Sequence, residues 1–228
     1  MPVTTCVFDA YGTLFDVSAA ARRAAEQTGQ DQLAAIWPKL AADWRLKQLQ
    51  YSWLRAVTGT YVPFWQVTKD ALDWAMEAAE IDDPVLRETL LALYWELPAY
   101  KEAHTVLALL KATGFNTAIL SNGSPEMLDG AVDFSGTRES LDAVISVDDV
   151  KIFKPAKAVY DLVEKRLGAT PQQVLFVSAN GWDAAGAAAY GFQTAWINRA
   201  SEPVDRLPGV PGHILPDLSG IPDLAGTL

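Results

Sequence analysis

Hydrophobic positions along the chain fall into two textures. From about Asp16 to Leu97 they recur at helical spacing: Trp37, Leu40 and Trp44, then Leu49, Trp53, Leu54 and Val57. Six of the eight tryptophans (37, 44, 53, 65, 74 and 95) lie in this stretch, and β-branched runs are nearly absent from it. The stretch predicts packed helices. Elsewhere, short apolar runs alternate with amphipathic segments. Thr5–Phe8, Asn116–Leu120, Ala143–Val147, Val174–Val177, Thr194–Ile197 and, weakly, His213–Leu215 predict strands. Glu102–Thr113, Pro125–Phe134, Pro155–Leu167 and Trp182–Tyr190 predict the helices between them. Strands alternating with helices of this length build βαβ units and a parallel sheet.

Gly114, Gly168 and Gly191 fall where a helix hands over to a strand, the place of a C-cap glycine. The last 26 residues carry five of the 13 prolines and predict an irregular surface tail. The expected fold is therefore α/β. A Rossmann-like parallel-sheet core, residues 1–15 plus 98–228, is interrupted after its first strand by a helical cap subdomain, residues 16–97.

Composition narrows the function classes. A chain of 228 residues, half of them hydrophobic and a fifth charged, is an ordinary globular protein. Cys6 stands alone in an apolar run, which excludes a disulfide framework and predicts a small buried hydrophobe. No run of 18 apolar residues is present, so no membrane span is expected. The N-terminus lacks a basic region and meets an acid at Asp9, unlike a signal peptide, so a cytoplasmic location is expected. The net charge of −10 argues against a nucleic-acid partner. A small anionic substrate still fits, because distant surface charge is screened over about 8 Å at physiological salt.

In open parallel sheets the ligand sits beyond the C-terminal strand ends, and each predicted strand delivers polar residues there. Asp9 ends the first strand and is followed by Gly12 and Thr13: a carboxylate nucleophile or a turn aspartate. Ser121 and Asn122 end the second, as anion donors or as a local turn network, and Ser124-Pro125 predicts an N-cap with proline at N1. Lys154 precedes Pro155 after the third strand: a directed cation or a solvated loop lysine. Ser178, Asn180, Trp182 and Asp183 follow the fourth, and Asp183 could be only a dipole-favoured acid at a helix start.

Taken together, Asp-x-x-Gly-Thr, Ser, Lys-Pro and Asp at four successive strand ends resemble the haloacid dehalogenase superfamily. The blocks 8–17, 44–55, 120–125, 153–155 and 176–183 resemble its L-2-haloacid dehalogenases, over essentially the whole chain except the segment after about Arg199. Leu46 stands where that family suggests glutamine, and Ala179 where it suggests serine.

Most superfamily members are Mg²⁺-dependent phosphatases, with a second Asp two positions after the nucleophile and acids after the fourth strand. Here those places hold Tyr11 and Ser178-Ala179-Asn180, leaving Asp183. The reading is a metal-free hydrolase with no cofactor. The resemblance implies that Asp9 displaces halide from an (S)-2-haloacid, and that water hydrolyses the resulting ester to the (R)-2-hydroxy acid. Two anions must then approach, at about 1 kcal/mol in water and about 4 kcal/mol at an effective dielectric of 20 for a 4 Å separation.

The resemblance assigns Ser121 and the backbone at Ala10 and Tyr11 to the substrate carboxylate, and Lys154 to orienting Asp9. It assigns Arg45, Asn122 and Trp182 to the halide, and Tyr11, Leu49 and Phe64 to an apolar wall. Asp183 with Asn180 is the candidate for placing water, and Thr13, Ser178 and Tyr160 are candidates for holding Asp9 and Lys154. It also implies a homodimer. The alternatives are a hydrolase opening another electrophile beside a carboxylate, such as azetidine-2-carboxylate, a residual phosphatase, or a non-catalytic binding protein on the same fold. The five retained polar residues Asp9, Arg45, Asn122, Lys154 and Asp183 argue against the last.

Overall fold

The computed structural model describes residues 1–26 and 31–228. Six strands form one sheet: β1 (Thr5–Phe8), β2 (Asn116–Ser121), β3 (Ala143–Ser146), β4 (Val174–Ser178), β5 (Gln193–Ile197) and β6 (His213–Leu215). Their order is β3-β2-β1-β4-β5-β6, and every neighbouring pair is parallel. The strand order turns at β1, with β2 on one side and β4 on the other. That reversal opens a crevice at the C-terminal edge, where doubly wound folds place their ligands. All residues of β1 and β4 are buried, so both strands read as unbroken apolar runs.

The strands fall where the pattern predicts them, within a residue at each end. Four helices cross between them: α5 (Ala103–Ala112), α6 (Pro125–Ser135), α7 (Lys157–Leu167) and α8 (Gly181–Tyr190). Gly114, Gly168 and Gly191 all have positive φ, as helix-terminating glycines should. Cys6 is buried, and desolvation pushes its thiol up to about 12, which makes it an inert hydrophobe.

Between β1 and α5 lies an insert of α1 (Ala19–Ala25), α2 (Asp31–Thr58), α3 (Phe64–Ala78) and α4 (Pro84–Trp95). Helix α1 buries Ala19, Ala20, Ala21 and Ala24, and packs on α2 and α4. Helix α4 starts on Asp83, whose Oδ1 accepts from the N–H groups of Val85 and Leu86 at 2.9 Å. The periodic apolar positions of α2 divide: Leu40 and Trp44 are core, whereas Leu54 and Val57 are exposed. The chain leaves and re-enters the core through one paired strip. Asp16 N–H donates to the Pro98 carbonyl at 3.0 Å, and Tyr100 N–H to the Leu14 carbonyl at 2.9 Å.

The C-terminal segment corrects an expectation. Residues 201–212 are irregular and mostly exposed, as expected, but the segment does not stay so. It supplies β6, paired to β5, and α9 (Ile221–Thr227), with Leu218, Ile221 and Ala225 buried. Pro216 follows β6 directly, and Pro222 lies in the first turn of α9. Among the described residues, no helix is long and apolar enough to cross a membrane.

Candidate active site

The turn after β1 shows why its glycine and threonine are spaced as they are. The Ala10 carbonyl accepts from the N–H groups of Thr13, Leu14 and Phe15, which curls the chain into a tight loop. Gly12 takes φ +89° at the bend, a conformation L side chains rarely adopt. The curl turns Thr13 back over Asp9. Its Oγ1 donates to Asp9 Oδ2 at 2.9 Å and accepts from Ala179 N–H at 2.8 Å. The Asp9 N–H is tied to the Val177 carbonyl of β4 at 2.9 Å, so the carboxylate stands between two strand ends.

Around Asp9 the other strand ends close in. Lys154 Nζ donates to Asp9 Oδ1 at 2.8 Å and to Asp183 Oδ2 at 2.7 Å. Asn180 Nδ2 donates to Asp9 Oδ2 at 2.9 Å. Asp183 also accepts from Tyr160 OH at 2.8 Å and Ser178 Oγ at 3.1 Å. Lys154, Asp9 and Asp183 are all buried, with Lys154 only 1% exposed. A buried cation is costly unless paired and hydrogen-bonded. Burial pulls the Lys154 ammonium down, but the two carboxylates outweigh it and its pKa lies above the ordinary lysine value. Asp183 moves the other way for an acid. Burial pushes its carboxyl up, Lys154 opposes, and the Asp9 charge adds to the rise. Burial, then the charge and hydrogen bond of Asp183, push the Tyr160 hydroxyl up as well, so it acts as a donor.

Asn122 accepts from the Lys154 backbone N–H through Oδ1 at 2.8 Å, which aims its amide nitrogen elsewhere. Ser121 Oγ accepts from Gly123 N–H at 3.1 Å and keeps its own proton to give. Among the described residues, the Ser121 hydroxyl and the Ala10 and Tyr11 amides donate to no acceptor. These groups follow β1 and β2, neighbours in the sheet, and could receive an anion. Gly123 is required by packing: a Cβ there would lie 2.8 Å from Tyr11 Cε2.

The insert roofs this edge. Arg45 of α2 donates to Asn180 Oδ1 at 3.1 Å and to the Tyr11 carbonyl at 3.3 Å. Tyr11 stacks between Phe64 (6.4 Å) and Tyr94 (5.8 Å), and its buried hydroxyl has no partner among the described residues. Leu49 is half-buried on α2. Trp182 packs edge-on against Trp53 of α2 at 5.3 Å, and the pair helps line an apolar cavity of about 510 Å³ with Phe153 and Pro155. The polar contacts of Arg45 therefore run to Asn180 and Tyr11, those of Asn122 to Lys154, while Trp182 lies against Trp53.

Two expectations change. Ser124 occupies the N-cap position of α6 but makes no capping hydrogen bond. Its Oγ instead accepts from Trp65 N–H of α3 at 3.2 Å, tethering the insert to the core. Leu46, one of the two departures from the family pattern, is 47% exposed and points away from the site. Sequence reasoning also missed residues. Gln48 is buried and donates to Thr68 Oγ1 at 3.0 Å and Tyr94 OH at 3.1 Å, directly behind Tyr11. The available signal was the stripe Arg45, Gln48, Leu49 and Ser52 at i, i+3, i+4 and i+7 on one face of α2.

The arrangement can deliver a carboxylate nucleophile held by a cation, a second acid to handle a proton, and donors at two anion positions. It does not fit Mg²⁺. The Lys154 ammonium already bridges the two carboxylates, and among the described residues no three His, Cys, Asp or Glu side chains are grouped to hold a metal.

Comparison with known proteins identifies the family. A family model described as haloacid dehalogenase-like hydrolase matches residues 3–191. A Pseudomonas (strain CBS-3) relative, (S)-2-haloacid dehalogenase 1, is 45% identical across 98% of this chain and 96% of its own. A crystal structure described as a dehalogenase superposes with TM-score 0.92 at 41% identity, covering 97% of this chain and 96% of that one. The L-2-haloacid dehalogenase of Xanthobacter autotrophicus, solved with chloropropionic acid covalently bound, gives TM-score 0.88 at 36% identity, covering 99% of each chain. The match runs over nearly the whole chain, which belongs to the haloacid dehalogenase-like hydrolases, among the L-2-haloacid dehalogenases.

Proposed function

We propose that the protein hydrolyses (S)-2-haloalkanoic acids to (R)-2-hydroxyalkanoic acids and halide, without a metal. The observation that carries this reading is Asp9: a buried carboxylate fixed by Lys154, Thr13 and Asn180, opposite an arginine from the insert. The covalently bound chloropropionic acid in the Xanthobacter relative supports an ester intermediate.

In the first step an Asp9 oxygen attacks C2 of the substrate as the carbon–halogen bond breaks, and the halide leaves with the bonding pair. Oδ2 already accepts two hydrogen bonds and Oδ1 one, so Oδ1 has the freer lone pair. Ser121 with the Ala10 and Tyr11 amides holds the substrate carboxylate and offsets its repulsion from Asp9. Arg45 and Asn122 stabilise the departing halide, with Trp182 beside them, and Leu49, Phe64 and Tyr11 wall the alkyl side. In the second step water adds to the Asp9 carboxyl carbon and gives its proton to Asp183. As the acyl–oxygen bond breaks, the leaving alkoxide oxygen takes that proton back from Asp183 and departs as the hydroxy acid; the second water proton goes to solvent as Asp9 regains its carboxylate. Asn180 places the water, while Ser178, Tyr160 and Thr13 hold the acids and Lys154. Attack at C2 occurs once, so the centre inverts once.

The helical insert, residues 16–97, acts as the cap subdomain over a core of residues 1–15 and 98–228. The protein works as a cytoplasmic homodimer. A lone buried cysteine supports that compartment, and the exposed Leu54, Val57 and Trp74 on α2 and α3 support a partner copy.

The test is halide release from (S)- and (R)-2-chloropropionate with chelator present, for wild type and Asp9→Asn. Release from the S form alone, unaffected by chelator and reduced about 10⁴-fold or more in the variant, is the expected outcome. No halide from either enantiomer overturns the reading. A single turnover in ¹⁸O-water should place label in Asp9. Label in the first product would replace the ester with direct attack by water.

A further inference from the structure

Arg199 lies just beyond the end of β5, outside every role given so far, and its contacts converge on the strip where the insert joins the core. Its guanidinium lies 3.8 Å from the Tyr100 ring centroid. One terminal nitrogen bonds Glu102 Oε1 at 2.7 Å, and the other donates to the Thr13 carbonyl at 3.3 Å. Both partners are sheltered: the side chain of Arg199 is 25% exposed and that of Glu102 11%. Tyr100 and Glu102 belong to the chain returning from the insert, and Thr13 to the chain leaving for it. These two stretches are already joined by the Asp16–Pro98 and Tyr100–Leu14 hydrogen bonds. Arg199 is a third strand's grip on that pair.

The consequence reaches Asp9. The Thr13 side chain holds Asp9 Oδ2 and the Ala179 amide, while its carbonyl is held by Arg199. The two ends of Thr13 are thus fixed from opposite sides. Only a planar fork can bond Glu102 and Thr13 at once while its face covers Tyr100, and a lysine at this position would satisfy one of the three.

We infer that Arg199 is a positioning residue: it locks both insert linkers to the end of β5 and, through Thr13, sets the orientation of the Asp9 carboxylate. As far as it concerns catalysis, this inference rests on the reaction proposed above. The clamp itself does not depend on it, so the experiment has two arms.

The first arm compares backbone hydrogen exchange in wild type, Arg199→Ala and Arg199→Lys. Exchange should rise in peptides covering residues 10–16 and 98–103, and stay unchanged in α7. Unchanged exchange in the linker peptides, or a rise spread evenly over the chain, overturns the clamp whatever the protein's substrate is. The second arm measures kcat and KM for (S)-2-chloropropionate. Because small misplacements of a reacting group cost up to about a hundred-fold in rate, Arg199→Ala should lose roughly ten- to hundred-fold in kcat with KM changed less. Arg199→Lys should fall between, and added guanidinium should restore part of the alanine variant's rate. A kcat within two-fold of wild type, or a loss without rescue that follows the unfolded fraction, overturns the positioning role. A wild type that releases no halide overturns the proposed reaction, and the exchange arm still decides the clamp.

Discussion

The core half and the insert half of this site are built to different tolerances. In the core, Asp9, Lys154 and Asp183 are buried and joined by contacts of 2.7 and 2.8 Å, with Thr13, Asn180, Ser178 and Tyr160 filling further lone pairs. From the insert, Arg45 reaches the same edge through longer contacts of 3.1 and 3.3 Å and remains half-buried. The charges that must be right before substrate arrives are held by one sheet. Arg45, the proposed halide donor, comes instead from the helical insert, so its position depends on how α2 is seated over the sheet edge. Fixed dipoles cost no reorganisation at the moment of reaction, and the core half is organised that way.

The largest expected effect comes from breaking the core half. Lys154→Met leaves two buried carboxylates facing each other without a cation. Removing one partner of a buried pair costs about 3–5 kcal/mol, and halide release should vanish. The loss should depend on pH. Burial already raises the Asp183 carboxyl, and without the ammonium that opposes this it rises further above its unfolded value, so the folded variant binds more protons than the unfolded chain and is less destabilised at low pH. Denaturant unfolding at pH 5 and pH 8 checks this: a deficit of equal size at both pH values would contradict the charge argument.

The same contrast explains what could be read in advance. The six strands and the residues at their C-terminal ends were legible because an all-buried parallel strand is a short apolar run, and its ligand edge must then carry polar residues. The insert was legible as helices but not as faces. Leu54 and Val57 look like core positions by spacing and prove exposed, because periodicity says which residues share a side and not what that side meets. Ser124 followed a capping pattern, yet its hydroxyl is taken by Trp65, fifty-nine positions away in sequence. Arg199, Glu102 and Gln48 were missed for the same reason, since their partners are brought close only by the fold.

Disturbing the insert half should give the next largest effect. Arg45→Ala should lower kcat about 10²–10³-fold, the usual loss for one donor aimed at developing charge. Stability should change little, because Arg45 is half-exposed and Asn180 keeps its bond to Asp9. The deficit should be greater for 2-chloro- than for 2-bromopropionate, since chloride leaves less readily and needs more stabilisation. Equal deficits for both halogens would detach Arg45 from the leaving group.

A milder effect comes from pH in the intact enzyme. The folded Lys154 pKa lies above the ordinary 10.5. Its contribution is therefore fully present below that value and is lost only as pH rises through the higher folded value. Activity should show no alkaline fall before about pH 10. Asp183, raised by burial, must be ionised to take a proton, so hydrolysis of the ester should weaken as pH drops through a value above the usual carboxylate range. The pH profile of kcat measured with a fast leaving group isolates that step. An alkaline limb near pH 8 would show that Lys154 is not the buried, doubly paired cation described above.

The smallest effect tests the seam between the halves. Ser124→Ala removes the bond from Trp65 and a weak one to Met127 Sδ, worth about 1 kcal/mol in stability whether the hydroxyl caps α6 or tethers α3. Overall stability therefore cannot separate the two roles, but location can. If the hydroxyl tethers the insert, amide exchange should rise at Trp65 and along the first turn of α3, while the first turn of α6 is unchanged. KM should rise modestly as the insert seats less firmly, and kcat should hold because Asp9, Lys154 and Asp183 are untouched. Faster exchange confined to α6 would return Ser124 to a capping role. The roof would then be held at this edge by Arg45 and by the hydrogen bond of Tyr61 to Asp148, and the Arg45 variant should then disturb KM as well as kcat.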